Sequence, residues 1–246
     1  MTSRRPLSVP ASSVDGPTST GASRRGFLGR VAAATAAAMV SPRWVGARVT
    51  PDSGRPGPGP DDWLDRLTGT HRCFFDAPQH GDGLPQVHVF NYINSYKTAY
   101  GARPSDINAV LTCYGAPGAA TMPLAWNDAM WAKYRVGELI GLVDPATKQP
   151  VTRNVFWTPR QGDPILFGGA YAMAGLANLS EMGTTLLMCN NAFIAWCGWM
   201  ASQGRGEAAA IEKEIRANLN PGVITVPAMV IAIEKAQGRG IAYNRQ

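Results

Sequence analysis

From residue 71 onward, short runs of continuous apolar residues alternate with longer stretches whose apolar positions recur at helical spacing. HRCFFDAP (71–78) predicts a strand closed by a turn. LPQVHVFNYINSYKTAYG (84–101) puts Val87, Phe90, Tyr92 or Ile93, Tyr96 and Tyr100 near one face of a helix, stopped by Gly101. SDINAVLTCYG (105–115) reads as a second strand, and 122–141 as a helix whose heavy side is Leu124, Met130, Trp131, Tyr134 and Leu139. DPILFGGAYAMAGLANLSEMG (163–183) opens on an Asp-Pro cap signal and reads as a helix ending at Gly183. Then follow a strand (183–189), two helices (190–204 and 206–219, the second with a charged face), a strand (220–227), a helix (228–240) and a last short strand (240–244). Strands apolar at every position are buried on both faces, and helices between them supply parallel crossovers. The expected fold is therefore α/β: a three-layer, doubly wound, mostly parallel sheet of about five strands, helices on both faces and right-handed connections.

The first 62 residues follow another pattern. Residues 23–30, SRRGFLGR, place Arg24 and Arg25 just before Phe27 and Leu28, and a weakly apolar run, VAAATAAAMV (31–40), follows. A basic, Pro-containing stretch then leads to the small residues around Ala47. Twin arginines, a short apolar run and a small-residue cleavage site, in that order, are the features of a twin-arginine export signal. The expectation is a signal peptide over 1–47, export by the twin-arginine machinery and a periplasmic or other extracytoplasmic location. The apolar run is too short to span a bilayer as a permanent helix; contact with the membrane is expected only if the signal stays uncut. TPDSGRPGPGP (50–60) cannot form regular structure, and 48–62 reads as a linker. One domain, 63–246, remains.

Cutting the leader changes the meaning of the charge. Of 23 basic and 17 acidic residues, six and one lie in 1–47, which leaves 17 against 16. The sequence pI of about 9.4 mostly reports the signal. No basic cluster remains downstream, so nucleic acid is not an expected partner.

The C-terminal third, GTTLLMCNNAF (183–193) followed by LNPGVITVPAMVIAIEKAQGRGIAY (219–243), resembles the DsrE/DsrF-like proteins, which include small sulfur-relay subunits. There a strand ends in a cysteine, a helix follows, and a PGV-x-VP strand precedes another helix and a Tyr-bearing strand. Upstream, HRCFFDAPQHGDGLPQVHVFNYINSY (71–96) and PLAWNDAMWAKYRVGELIGLVDPATKQPVTRN (123–154) look like the exported branch of that family. The resemblance implies a small doubly wound fold, trimeric or hexameric assembly, and a cysteine at an inner strand end that carries sulfur as a persulfide. Carried over, that cysteine is Cys189. A sulfur donor or acceptor protein would be its partner; no cofactor is implied.

Physical chemistry points to the same residue. In doubly wound sheets ligands sit outside the carboxyl ends of the strands, and a thiol at a helix start meets free N–H groups and the positive end of the helix dipole, which favour thiolate. Asn190 and Asn191 could add donors. The competing reading is a packed cysteine acting as a small hydrophobe. Cys113, before the flexible YGAPGAA (114–120), is a second strand-end candidate, with Tyr114 beside it as a ligand contact. Exported relatives are expected to carry an Arg-His-type pair where this chain has Cys113-Tyr114. If their strands are neighbours, Cys113 and Cys189 could form a redox pair, given Cα atoms within about 7 Å. Cys197, about 12 Å along the same helix from Cys189 at 1.5 Å per residue, cannot bridge to it. Cys197 and Cys73 read as core.

Asp128, among the aromatics of WNDAMW, reads as a buried residue that fixes a helix start or loop, with proton transfer to Cys189 as the alternative. His71, His80 and His88 form no HxxxH element, and no metal site is expected. The Pro-rich stretch 141–162, with Phe156 and Trp157, reads as a lid or as an arm around a neighbouring subunit. Two function classes follow: a thiol-dependent sulfur carrier, or a non-catalytic oligomeric module that binds a small ligand at the same strand ends.

Overall fold

The computed structural model describes residues 59–246. The twin arginines Arg24 and Arg25, Phe27, Leu28 and the Ala-rich run lie outside the described residues. The chain runs α1 (Asp62–Asp65), β1 (His71–Asp76), α2 (Leu84–Ala99), β2 (Ile107–Cys113), α3 (Asp128–Lys133), α4 (Val136–Leu139), α5 (Leu176–Glu181), β3 (Thr185–Cys189), α6 (Asn190–Ser202), α7 (Ala208–Arg216), β4 (Ile224–Val226), α8 (Met229–Gly238) and β5 (Ala242–Arg245). The five strands make one all-parallel sheet in the order β4-β3-β2-β1-β5. This is the doubly wound α/β architecture expected from the alternation of apolar strands and helices.

The register sorts side chains between the two faces. Phe75, Leu111 and Leu186 are in register across β1, β2 and β3, and Phe75 meets Tyr92 of α2 with ring centroids 5.5 Å apart. Phe74 points the other way and meets Trp63 of α1 at 6.2 Å. Ion pairs from α8 to the α1 segment, Lys235–Asp61 and Arg239–Asp65, put α8 on that second face as well. The topology gives the reason. From β1 to β4 the chain steps in one direction, so right-handed crossovers place those connections over one face; the return from β4 to β5 at the far edge must cross the other.

Two expected helices are not continuous. The 122–141 stretch is a short 3-10 turn (Met122–Ala125), then α3, then α4. Asn127 caps α3 by accepting the Met130 N–H at 3.2 Å, and the left-handed backbone of Arg135 (φ 52°) ends one helix and starts the next. In 163–183 only Leu176–Glu181 is α-helical. Four successive residues, Leu166 to Gly169, have positive φ, a conformation no right-handed helix can contain. Asp163 is not a helix cap: its carboxylate takes the Arg153 guanidinium at 2.5 and 2.6 Å.

The 141–162 stretch does not extend as an arm. It folds back on its own domain, burying Val151, Val155 and Phe156. Buried Asn154 holds it there, donating to the Leu124 and Trp126 carbonyls at 3.0 and 2.8 Å. Buried Asn220 donates to the same two carbonyls at 3.1 and 3.0 Å, so two side-chain amides brace one turn.

Candidate strand-end sites

Cys189 is the last residue of β3 and the N-cap of α6. Its Sγ accepts the Ala192 N–H of α6 at 3.5 Å and the Met229 N–H, the first of α8, at 3.3 Å. The register explains the second contact. Cys189 pairs with Val226 at the end of β4, and α8 starts three residues later. One sulfur thus lies against the starts of two helices, where unpaired N–H groups and both dipoles favour negative charge. The residue is 5 % exposed. Beside it, between residues 60–63 and α8, lies a recess of about 180 Å³ lined by Trp63, Val226, Pro227 and Ile231 among others, but not by Cys189.

Asn190 and Asn191 do not supply the donors to the sulfur; backbone amides do. Asn190 Oδ1 accepts from Arg216 of α7 at 2.5 Å. Asn191 is exposed and donates its backbone N–H to the Pro227 carbonyl at 3.3 Å, joining the α6 start to the β4–α8 turn.

Cys113 ends β2 but is not brought to Cys189. Its register partner is Met188, and neighbours in a strand point to opposite faces, so the two thiols lie on opposite sides of the sheet. The redox-pair expectation fails on that alternation. All four cysteines are free and buried. Burial pushes the Cys73 thiol up to about 11 and those of Cys113 and Cys197 to about 12.

Asp128 is exposed rather than buried. Its Oδ1 accepts the Asn154 N–H at 2.8 Å, so it fixes a loop while Asn127 caps the helix. His71 stacks on Tyr96 at 4.0 Å, buried His80 accepts the Asp82 N–H at 3.1 Å, and exposed His88 bonds Gln246. Among the described residues no three His, Cys, Asp or Glu side chains converge as a metal-ligand group.

Tyr114 belongs to a cluster that sequence reasoning missed. At the end of β1, Asp76 is 1 % exposed. Its carboxylate accepts from Tyr114 Oη at 2.7 Å, Tyr243 Oη at 2.6 Å and Arg245 Nη1 at 2.7 Å. Burial and the Asp76 carboxylate push the Tyr114 phenol up, and the hydrogen bond to Asp76 does so for Tyr243. Both phenols stay protonated donors. The cluster ties the ends of β1, β2 and β5 together and consumes the Tyr114 hydroxyl that was expected to meet a ligand. The available signal was an aspartate closing the apolar run of HRCFFD.

On the α2 face, the side of β5 away from α8 is covered by no helix or strand among the described residues. A groove of about 720 Å³ lies there, with Phe75, Asn244 and Gln246 toward the sheet and His88, Tyr92 and Tyr96 along α2. Among the described residues no helix is long and apolar enough to cross a membrane. No family model, no curated protein and no solved structure matches this chain.

Proposed function

We propose that this chain is an exported α/β protein that handles sulfane sulfur through Cys189. The observation that carries the reading is the double N–H contact to Cys189 Sγ, from Ala192 at 3.5 Å and Met229 at 3.3 Å. Donors aimed at one sulfur from two helix starts are the partners that the sulfur nucleophile of a transfer, and the persulfide formed from it, would use. In the transfer the Cys189 thiolate attacks the terminal sulfur of a donor persulfide, R–S–SH. A new S–S bond forms, the donor's S–S bond breaks, and R–S⁻ leaves with the electron pair. The product is Cys189–S–SH, with no net oxidation. The resemblance to sulfur-relay proteins supports the same residue, trimeric or hexameric assembly and a protein donor or acceptor. Arg24 and Arg25 support delivery by the twin-arginine route to an extracytoplasmic compartment.

The burial of Cys189, at 5 % exposure, favours a second reading: a packed thiol within a non-catalytic, oligomeric small-ligand-binding module. The two readings separate in one experiment, intact-mass analysis of the mature protein and its Cys189→Ser variant after inorganic polysulfide and then reductant. A sulfur carrier gains the mass of one sulfur atom, reversibly, and the variant gains nothing. Iodoacetamide at neutral pH should label Cys189 first, because burial holds Cys73, Cys113 and Cys197 protonated there. An unmodified Cys189 that alkylates no faster than the other three refutes the carrier.

A further inference from the structure

The groove beside β5 lies against a sheet edge, and the two features together specify what fits. Among the described residues β5 is the last strand of the sheet and pairs only with β1. Gln246 donates its N–H inward to the Asp76 carbonyl at 2.9 Å. In a parallel ladder a residue directs its N–H and C=O to the same side, and the side alternates along the strand. Ala242 and Asn244 therefore also face β1, and Tyr243 and Arg245 hold their N–H and C=O on the outer edge. All four β5 residues are exposed. Unpaired edge groups are a template for another strand.

One face of any strand added there meets α2. The groove-lining positions Leu84, His88, Tyr92, Tyr96 and Tyr100 recur every fourth residue along the helix. That stripe is roughly 24 Å long at 1.5 Å per residue, which matches about seven residues of extended chain at 3.3 Å each. The rings are set before anything binds: Tyr92 packs on Phe75 at 5.5 Å and on Tyr96 at 5.0 Å, and Tyr96 stacks on His71 at 4.0 Å. Preorganised aromatics keep the ordering cost of binding low.

The lining also selects by charge. It contains no Asp or Glu side chain. Its arginine, Arg245, turns its guanidinium to Asp76 on the opposite face. The side chains that face the groove offer phenol, amide, hydroxyl and imidazole beside apolar surface, which suits uncharged side chains.

We propose that β5 and the α2 groove form a docking site for an extended peptide segment of another polypeptide. The segment adds as a sixth strand at the edge, bonding the outward N–H and C=O of Tyr243 and Arg245. Its alternate, uncharged apolar or aromatic side chains lie against Tyr92, Tyr96 and Tyr100. A small molecule could fill the groove but would leave the edge unpaired; only a strand satisfies both. The proposal is independent of the sulfur reading, because Cys189 lies on the other face of the sheet.

The test is to pan a phage-displayed random dodecapeptide library on the intact mature protein and to synthesise the enriched sequence. Enriched peptides should alternate apolar or aromatic residues with others and should lack Lys and Arg at the alternating positions. The synthetic peptide should protect the Tyr243 and Arg245 amides from hydrogen exchange. Ser95→Trp, which fills the groove from an exposed helix position, should weaken binding at least about tenfold. Tyr243→Pro removes an outward N–H together with the phenol bonded to Asp76, so it is compared with Tyr243→Phe, which lacks the hydroxyl and keeps the N–H; only the proline variant should weaken binding, and if it is misfolded by circular dichroism, Ser95→Trp decides. Failure to enrich any alternating sequence, equal binding by Ser95→Trp, or unprotected edge amides would overturn the proposal. So would a stable dimer of the chain itself that Tyr243→Pro dissolves, since the occupant would then be a second copy.

Discussion

Replacing Asp76 should separate hydrogen bonding from simple packing at the sheet's C-terminal end. Its carboxylate accepts three bonds of 2.6 to 2.7 Å while 1 % exposed. A net worth of about 1.5–3 kcal/mol per bond to a charged group would total several kcal/mol, but the terms are unequal. The Arg245 side chain is 58 % exposed; water replaces much of what it loses, so its share is about 1 kcal/mol or less. Tyr243, 40 % exposed, is discounted likewise, and the half-buried Tyr114 phenol carries most of the rest. In Asp76→Asn, the amide nitrogen can take the place of Oδ1, and Tyr114 can rotate to accept from it. Tyr243 and Arg245 keep an acceptor, though not a charged one, so the expected cost is about 1–2 kcal/mol. Asp76→Ala strands the half-buried Tyr114 phenol, while exposed Tyr243 turns to water, and a cost of about 2–3 kcal/mol follows. For a domain of this size that is a fall in Tm of about 4–12 °C. Thermal unfolding followed by circular dichroism measures the difference, and hydrogen exchange should show β5 loosening first. Equal losses in the two variants, or a loss below about 1 kcal/mol for Asp76→Ala, would refute the reasoning.

Burial lowers the pKa of His80 below the ordinary imidazole value, with nearby Asp82 pulling it partly back. The folded state therefore binds this proton less readily than the unfolded chain. Stability is fully present above the unfolded value of about 6.5 and is lost as pH falls through it. His80→Asn keeps an acceptor for the Asp82 N–H, and urea midpoints between about pH 5 and 7 should fall less steeply with acid than in the wild type; parallel profiles would sink the assignment. Gly137→Ala would place a Cβ 2.3 Å from the Val151 carbonyl oxygen and should cost about 2–3 kcal/mol by overpacking. Gly198→Ala, in α6 with open space around the new Cβ, should instead gain about 0.5–1 kcal/mol by helix propensity. Chemical denaturation of both variants checks the contrast, and the same sign for both would show that the local geometry is wrong.

The strands were legible because each is a short apolar run bounded by turn residues. α2, α6, α7 and α8 were legible because apolar positions recur at helical spacing between Pro85, Gly101, Gly204 and Gly240. Aromatic content misled at 122–141 and 163–183. Trp126 and Leu166 are both buried, but loop backbone places them, braced by Asn154 and by the Asp163–Arg153 pair. Hydrophobic periodicity cannot distinguish a helix from a loop that buries the same residues. Exposure likewise eluded sequence reasoning at Asp128, because neighbouring tryptophans do not fix which way one carboxylate points.

At the site, sequence alone located Cys189 at the junction of a strand and a helix, since the change from apolar run to NNAF is local. It could not reveal the Met229 N–H, 40 residues on in the chain, or that Cys113 faces away. Both depend on register, and register is set by how strands pair across the sheet. The same holds for the Asp76 cluster, whose partners come from residues 114, 243 and 245. It holds also for the groove, which exists because β5 joins the sheet beside β1 rather than beside β4. Local patterns determine which segments are strands and helices, because propensity and burial act over a few residues. Which side chains meet is decided by strand order and crossover hand, which no single segment encodes.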